Sequence, residues 1–352
     1  MNNIPAAPAP PHMLTLCPYL LKPIADLAEV DEEHIIPHAM GGSNQFVLPV
    51  DKPSNSAFGM TVDSDLIHDP RLRFMAASQG IKSRTGDVTI ELPGVIVETG
   101  MKVLVPFNKN GLGQARVMDV YKRDPITNKL TGIAGFDDQI NSTLQRLSKR
   151  GEKKWEIASR SRIDQPVVKV EFPSDPFKVS KGLCKIAYLM ACRTLGDSFA
   201  LSADATAFRI AIHAKDFAAF DSCGLQLFFA AELPLLVLPN LTAAQHLVAC
   251  FRVNDLMMVA VKLFGSVVVS TFGFPARSNL VRPLDGIVVI NDNRTRTHTE
   301  KGLQEITSVD EMVRRMVAYK ERQDASKGDH AHRGEEASGW STASSLSARL
   351  LA

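Results

Sequence analysis

The run Val30-Asp31-Glu32-Glu33-His34-Ile35-Ile36-Pro37-His38-Ala39-Met40-Gly41-Gly42-Ser43-Asn44 sets acids and imidazoles beside a paired-glycine turn, and Asn55 follows a short way on. These residue types suit the hydrolysis of a phosphodiester, where a poor nucleophile must approach a charged phosphorus and an alkoxide must leave. A histidine answers the first difficulty by taking a proton from the attacking water. A divalent cation answers the second by neutralising charge on the oxygens. His34 is the candidate base, and Glu33 and Asn55 are the candidate oxygen donors, a set suited to Mg2+ or Mn2+ with several retained waters. Glu33 and His34 are neighbours and would point to opposite faces of a regular strand. They can share one site only where the pleat is broken, and Pro37 predicts such an end.

The elements needed to position these groups are readable around them. The pattern predicts a strand over 33–36, a turn over 37–43, a strand over 45–50 and a helix over 54–68, a compact β-β-α unit. Gly41-Gly42 can take the positive φ of a tight reversal. Ser54 is a suitable N-cap, and Phe58, Val62 and Leu66 recur at helical spacing to pack on the strands. Asp63 and Asp65 are expected on the wet face of that helix.

In order, Glu33-His34-Ile35-Ile36-Pro37, Gly41-Gly42, Asn44, Asn55 and Gly59 resemble the HNH endonuclease family, over about residues 17 to 75. The resemblance implies a ββα-metal finger set against the minor groove of a duplex, and cleavage leaving a 5′-phosphate and a 3′-hydroxyl. It makes His34 similar to the general base, Glu33 and Asn55 to the metal ligands, and Asn44 to the middle asparagine that braces the loop holding the base. Many members of this branch flank the core with C-x-x-C pairs for a structural zinc. Only Cys17 stands upstream here, and Val50-Asp51-Lys52-Pro53-Ser54 takes the place of the second pair. A finger without that zinc must be held by packing on the rest of the chain. Glu33 also replaces the commoner Asp.

Nucleic acid, double-stranded DNA in particular, is the expected partner. His38, Gly41 and Gly42 in the turn, with Arg71 and Arg73 after the finger helix, are the candidate contacts to it. The net charge is only +2, so any phosphate-binding surface has to be local. A basic segment from Arg146 to Arg162 reads first as a solvated helix face.

The chain as a whole predicts an α+β protein, an N-terminal ββα-metal finger with a larger mixed α/β C-terminal domain. Its divisions are a flexible Pro/Ala lead-in over 1–12, the finger domain over 13–80, a β-rich segment with a basic helix over 81–172, a mixed domain over 173–320 and a disordered tail over 321–352. Within them the pattern predicts a strand meander over 85–121, a basic helix over 137–162 and a strand over 166–172. It also predicts helices over 179–195 and 203–212, strands over 225–271, a strand over 288–290 and a helix over 309–320. Lys185 and Arg193 are placed on the wet side of the 179–195 helix, with Cys184 and Cys192 buried as small apolar residues. Five cysteines without a C-x-x-C pair argue against a zinc ribbon and a disulfide-stapled secreted fold. The start lacks the order of a signal peptide, and no run approaches the roughly 18 to 20 apolar residues of a membrane span. A cytoplasmic location is expected. The rival readings are a degenerate, non-cleaving nucleic-acid-binding module and an interaction or host-defence component, with a homo-oligomer or protein partner meeting the C-terminal domain.

Overall fold

The computed structural model describes residues 14–83, 86–118, 120–149, 167–229, 238–239, 241–253, 255–275, 286–306, 314 and 346–349. Strands β1 (Val30–His34) and β2 (Val47–Asp51) pair antiparallel, with Glu33 opposite Leu48 and His34 opposite Val47. Between them a single 3-10 turn, His38–Met40, is closed by Gly41. Helix α1 (Lys52–Met60) begins at Asp51 rather than Ser54, because the Asp51 carboxylate accepts from the Ser54 backbone N–H at 2.9 Å and from its hydroxyl at 2.7 Å.

The single helix expected over 54–68 is two. The backbone leaves the helical region at Thr61, whose hydroxyl donates back to the Ala57 carbonyl, and α2 (Val62–Ile67) restarts beyond it. A third helix that periodicity did not predict, α3 (Pro70–Ser78), is capped by the Asp69 carboxylate.

The next segment holds a short ribbon, β3 (Lys82–Ser83) and β4 (Gly86–Asp87), and then the expected meander of β5 (Ile90–Ile96), β6 (Lys102–Asn108), β7 (Gly111–Leu112) and β8 (Arg116–Val117). A second ribbon, β9 (Tyr121–Arg123) with β10 (Leu130–Ile133), precedes α4 (Asp137–Lys149), and β11 (Val167–Val170) returns to pair with β5. The remainder of the basic segment, residues 150–162, lies outside the described residues.

Helix α5 (Pro176–Ala200) is interrupted at Gly196, where the predicted helix ends, and is followed by α6 (Ala203–His213) and α7 (Phe217–Asp221). An antiparallel sheet comes next, built from β12 (Gln226–Phe229), β13 (Gln245–Val253), β14 (Leu256–Leu263), β15 (Val268–Pro275), β16 (Gly286–Asp292) and β17 (Thr297–Gly302). Its spatial order is β12-β15-β14-β13-β16-β17, and a short helix, α8 (Leu303–Ile306), follows. Residues 346–349, placed in the expected tail, form β18 (Leu346–Arg349) against β11. The lead-in over 1–12, the expected helix over 309–320 apart from residue 314, and the rest of the tail lie outside the described residues. The class is α+β, and among the described residues no helix is long and apolar enough to cross a membrane.

Alternation along the strands divides the core. Val248, Cys250, Val259 and Val261 face α5, whereas Leu247, Phe251, Met258 and Val288 form a second cluster with Leu303 on the other side of the sheet. The first cluster also contains Cys17, Ile35, Phe46, Leu48, Phe58 and Leu66. The hairpin with its following helices therefore shares one apolar core with α5 and the large sheet. Cys184 and Cys192 lie fully buried in it.

Close approach sets the sequence of α5. A Cβ at Gly182 would stand 2.8 Å from Leu66 Cβ and 2.9 Å from its Cδ2, so only glycine lets α2 lie this near. Gly182→Ala is expected to lower stability by about 1–3 kcal/mol. In Gly182→Ala/Leu66→Ala the two losses should sum to less than the separate effects, measured by urea unfolding. Strict additivity would place the contact elsewhere.

Candidate functional site

The turn that carries the candidate residues is fastened to the large sheet by buried polar groups. Asn291 on β16 grips it from both sides of its amide. Its Oδ1 accepts from the Ser43 backbone N–H at 2.7 Å, and its Nδ2 donates to the Gly41 carbonyl at 2.9 Å. On β13, His246 accepts the Phe264 backbone N–H at Nδ1 (3.0 Å), which leaves Nε2–H to donate to the Met40 carbonyl at 2.9 Å. Both bonds need the neutral ring, and burial pushes the His246 pKa down to about 4. Ser43 Oγ lies 2.9 Å from His298 Nδ1 on β17.

The paired glycines follow from this docking. Gly41 has φ 89°, and a Cβ there would lie 2.5 Å from the Asn293 carbonyl oxygen; at Gly42 it would lie 1.9 Å from that of Ile36. Both glycines are buried and packed on protein atoms. Asn44 is exposed, and the bracing of this turn comes from Asn291 and His246.

His34 ends β1, half-buried, with its Nε2 shielded from solvent, and its ring meets that of His38 edge-on at 5.3 Å between centroids. His38 in turn contacts the Arg296 guanidinium, whose Nη1 stands 3.2 Å from His38 Nδ1. These three side chains come from the end of β1, the turn and the β16–β17 hairpin, the last far away in sequence.

Glu33 points the other way, into the core. Its Oε1 lies 3.0 Å from the Lys185 ammonium, which also binds the Asp63 carboxylate and lies 5.5 Å from the Phe58 ring centroid. Lys185 and Asp63 were both expected on wet faces, but they are buried because each neutralises the other across the α2–α5 contact. Arg193, the other wet-side residue of α5, binds Glu300 and lies over Phe46. Asp65 does stay toward solvent, paired with Lys178 at 2.9 Å.

Asn55 donates from Nδ2 to Asp31 Oδ2 at 3.0 Å. Asp31 precedes His34 by three residues, about 10 Å along a strand and on its opposite face. Glu33, His34 and Asn55 thus engage three different partners, and among the described residues no group of three or more His, Cys, Asp or Glu side chains is disposed to hold a metal. In this arrangement Glu33 and Asn55 do not fit a shared ion. Arg71 binds Ser174 Oγ at 2.7 Å and lies beside Asp69, and Arg73 Nε donates to the Thr89 carbonyl at 3.2 Å.

Sequence reasoning missed Lys185, His246, Asn291, Arg296 and His298 as neighbours of the site. A histidine inside an otherwise apolar strand was the one available signal for His246.

Burial raises the Glu33 carboxyl to about 7; Lys185 opposes the rise and Asp63 adds to it. A carboxyl that holds its proton more tightly when folded stabilises fully below its ordinary 4.5, and that contribution is lost as pH rises through about 7. Wild type should therefore lose stability between pH 4.5 and 8 that Glu33→Gln does not lose. Parallel urea-midpoint profiles for the two proteins would contradict this. Asn291→Leu strands the Ser43 N–H and the Gly41 carbonyl and should cost about 2–4 kcal/mol in the same assay. A loss below about 0.5 kcal/mol would mean that the turn finds other partners.

No protein-family model, curated protein or solved structure matches this chain.

Proposed function

We propose that the chain is an HNH-type protein acting on the phosphodiester backbone of nucleic acid, double-stranded DNA in particular, with His34 as the base that activates water. The observation that carries this reading is the imidazole pair His34–His38 at the end of a β-hairpin that leads directly into a helix. The order of Glu33-His34, Gly41-Gly42, Asn44 and Asn55 supports it. In hydrolysis His34 would take the proton of a water as its oxygen attacks phosphorus, leaving a 5′-phosphate and a 3′-hydroxyl. A Mg2+ or Mn2+ ion is the expected cofactor of such chemistry. Glu33 is bound to Lys185 and Asn55 to Asp31, so neither is free to hold it in this arrangement.

A specific contact favours a second reading, a non-cleaving nucleic-acid-binding module. The Lys185 ammonium already gives Glu33 the positive partner that a divalent ion would otherwise supply.

A plasmid-nicking assay with Mg2+, Mn2+ and EDTA separates the two. Under the first reading wild type nicks, and His34→Ala reduces the rate by about a hundredfold or more. Equal rates for both proteins would remove His34 as the base. Duplex binding without nicking by either protein would establish the second reading in place of the first.

A further inference from the structure

The β16–β17 hairpin presents a guanidinium that, among the described residues, meets an imidazole and a peptide oxygen. Arg296 Nη1 rests on the His38 ring and Nη2 donates to the Lys82 carbonyl. Burial lowers its pKa. Asp292 and Glu300, acids of this hairpin, are turned elsewhere. Asp292 accepts from the Arg294 and Thr295 backbone N–H groups, and Glu300 is shared by Arg193 and His298.

The backbone adds a second observation. Arg296 has φ 57°, a left-handed conformation at a hairpin position where glycine or asparagine would be less strained. That geometry is fixed by the Asp292 turn, with Arg296 N–H donating to the Asp292 carbonyl at 2.9 Å. The turn thus holds the Arg296 guanidinium beside His38 at a backbone cost. Two cation-capable groups in contact, His38 and Arg296, also invite an anion between or beside them.

We propose that Arg296 and His38 together bind a phosphate group, so that the distant β16–β17 hairpin supplies the anion contact beside His34. The inference rests on the preceding reading for its source of phosphate, a nucleic-acid backbone. The planar fork of Arg296 would hold two phosphate oxygens, and His38 Nε2 or Nδ1 would donate to one of them when protonated. Arg294, exposed and bound to Gln79 Oε1 at 2.9 Å, is the matched control from the same turn.

The test uses the full chain as wild type, Arg296→Gln, Arg296→Lys and Arg294→Gln, each checked for an unchanged melting temperature. Inorganic phosphate is titrated and followed by the His38 ring nitrogen shifts, and a short duplex is titrated over a range of salt. Phosphate affinity is expected to fall about tenfold or more in Arg296→Gln, less in Arg296→Lys, and within about twofold of wild type in Arg294→Gln. The salt slope of duplex binding should drop by about one in Arg296→Gln. Phosphate binding equal in wild type and Arg296→Gln, or absent from both, overturns the proposal. Loss of phosphate binding with Arg296, in a protein that binds no duplex, sustains the anion site and overturns the nucleic-acid reading instead. Should Arg296→Gln fail to fold, Arg296→Lys decides: undiminished phosphate affinity there rejects the planar two-oxygen contact.

Discussion

The two hydrogen bonds that the Asn291 amide makes to the turn are the constraint from which the rest follows. A tight turn buried against a sheet carries peptide N–H and C=O groups that water no longer reaches, and each one left unpaired costs on the order of 1–3 kcal/mol. Asn291 meets a donor and an acceptor of the turn at once, and His246 meets a third group from the next strand. The segment holding His34 and His38 is therefore shaped by residues more than two hundred positions later. Glycine at 41 and 42 follows from the same closeness, since any side chain there would collide with peptide oxygens.

The buried ammonium of Lys185 is the second tie. A lone charge at this depth would be expensive, and it is tolerated because Glu33 comes from β1 and Asp63 from α2, so that three elements close around it. Around that contact the packing is apolar, with Phe58, Leu66 and Tyr188 in the same core. The charge cluster and the apolar core hold the hairpin to α2 and α5. Glu33 is held facing inward while His34, one residue on, faces the turn, as strand alternation requires.

Much of the architecture was legible in local pattern. The strand–turn–strand–helix order around Pro37 and the paired glycines, the meander between Thr85 and Tyr121, and the helix ending before Gly196 all follow from periodicity and turn residues. Errors arose where a tertiary partner reversed a local preference. Lys185 and Asp63 looked like wet-face residues because charges usually are, and only the opposing carboxylate and ammonium make their burial affordable. Thr61 split a helix that Phe58, Val62 and Leu66 had suggested was continuous. The site itself was half legible. His34 and His38 lie within one motif, but Arg296 and His298 sit in a polar hairpin whose relation to the motif depends on β16 pairing beside β13, a long-range choice that composition does not encode.

The central claim is that the turn and the large sheet form one cooperative unit rather than a finger resting on a separate body. Native-state hydrogen exchange of the Ser43 amide tests it most directly, because that N–H is bonded to Asn291 on β16. The account predicts that Ser43 opens with the same free energy as Val259 in the centre of the sheet, moving with it across denaturant. Exchange at Ser43 faster by several orders of magnitude, and insensitive to denaturant, would contradict it.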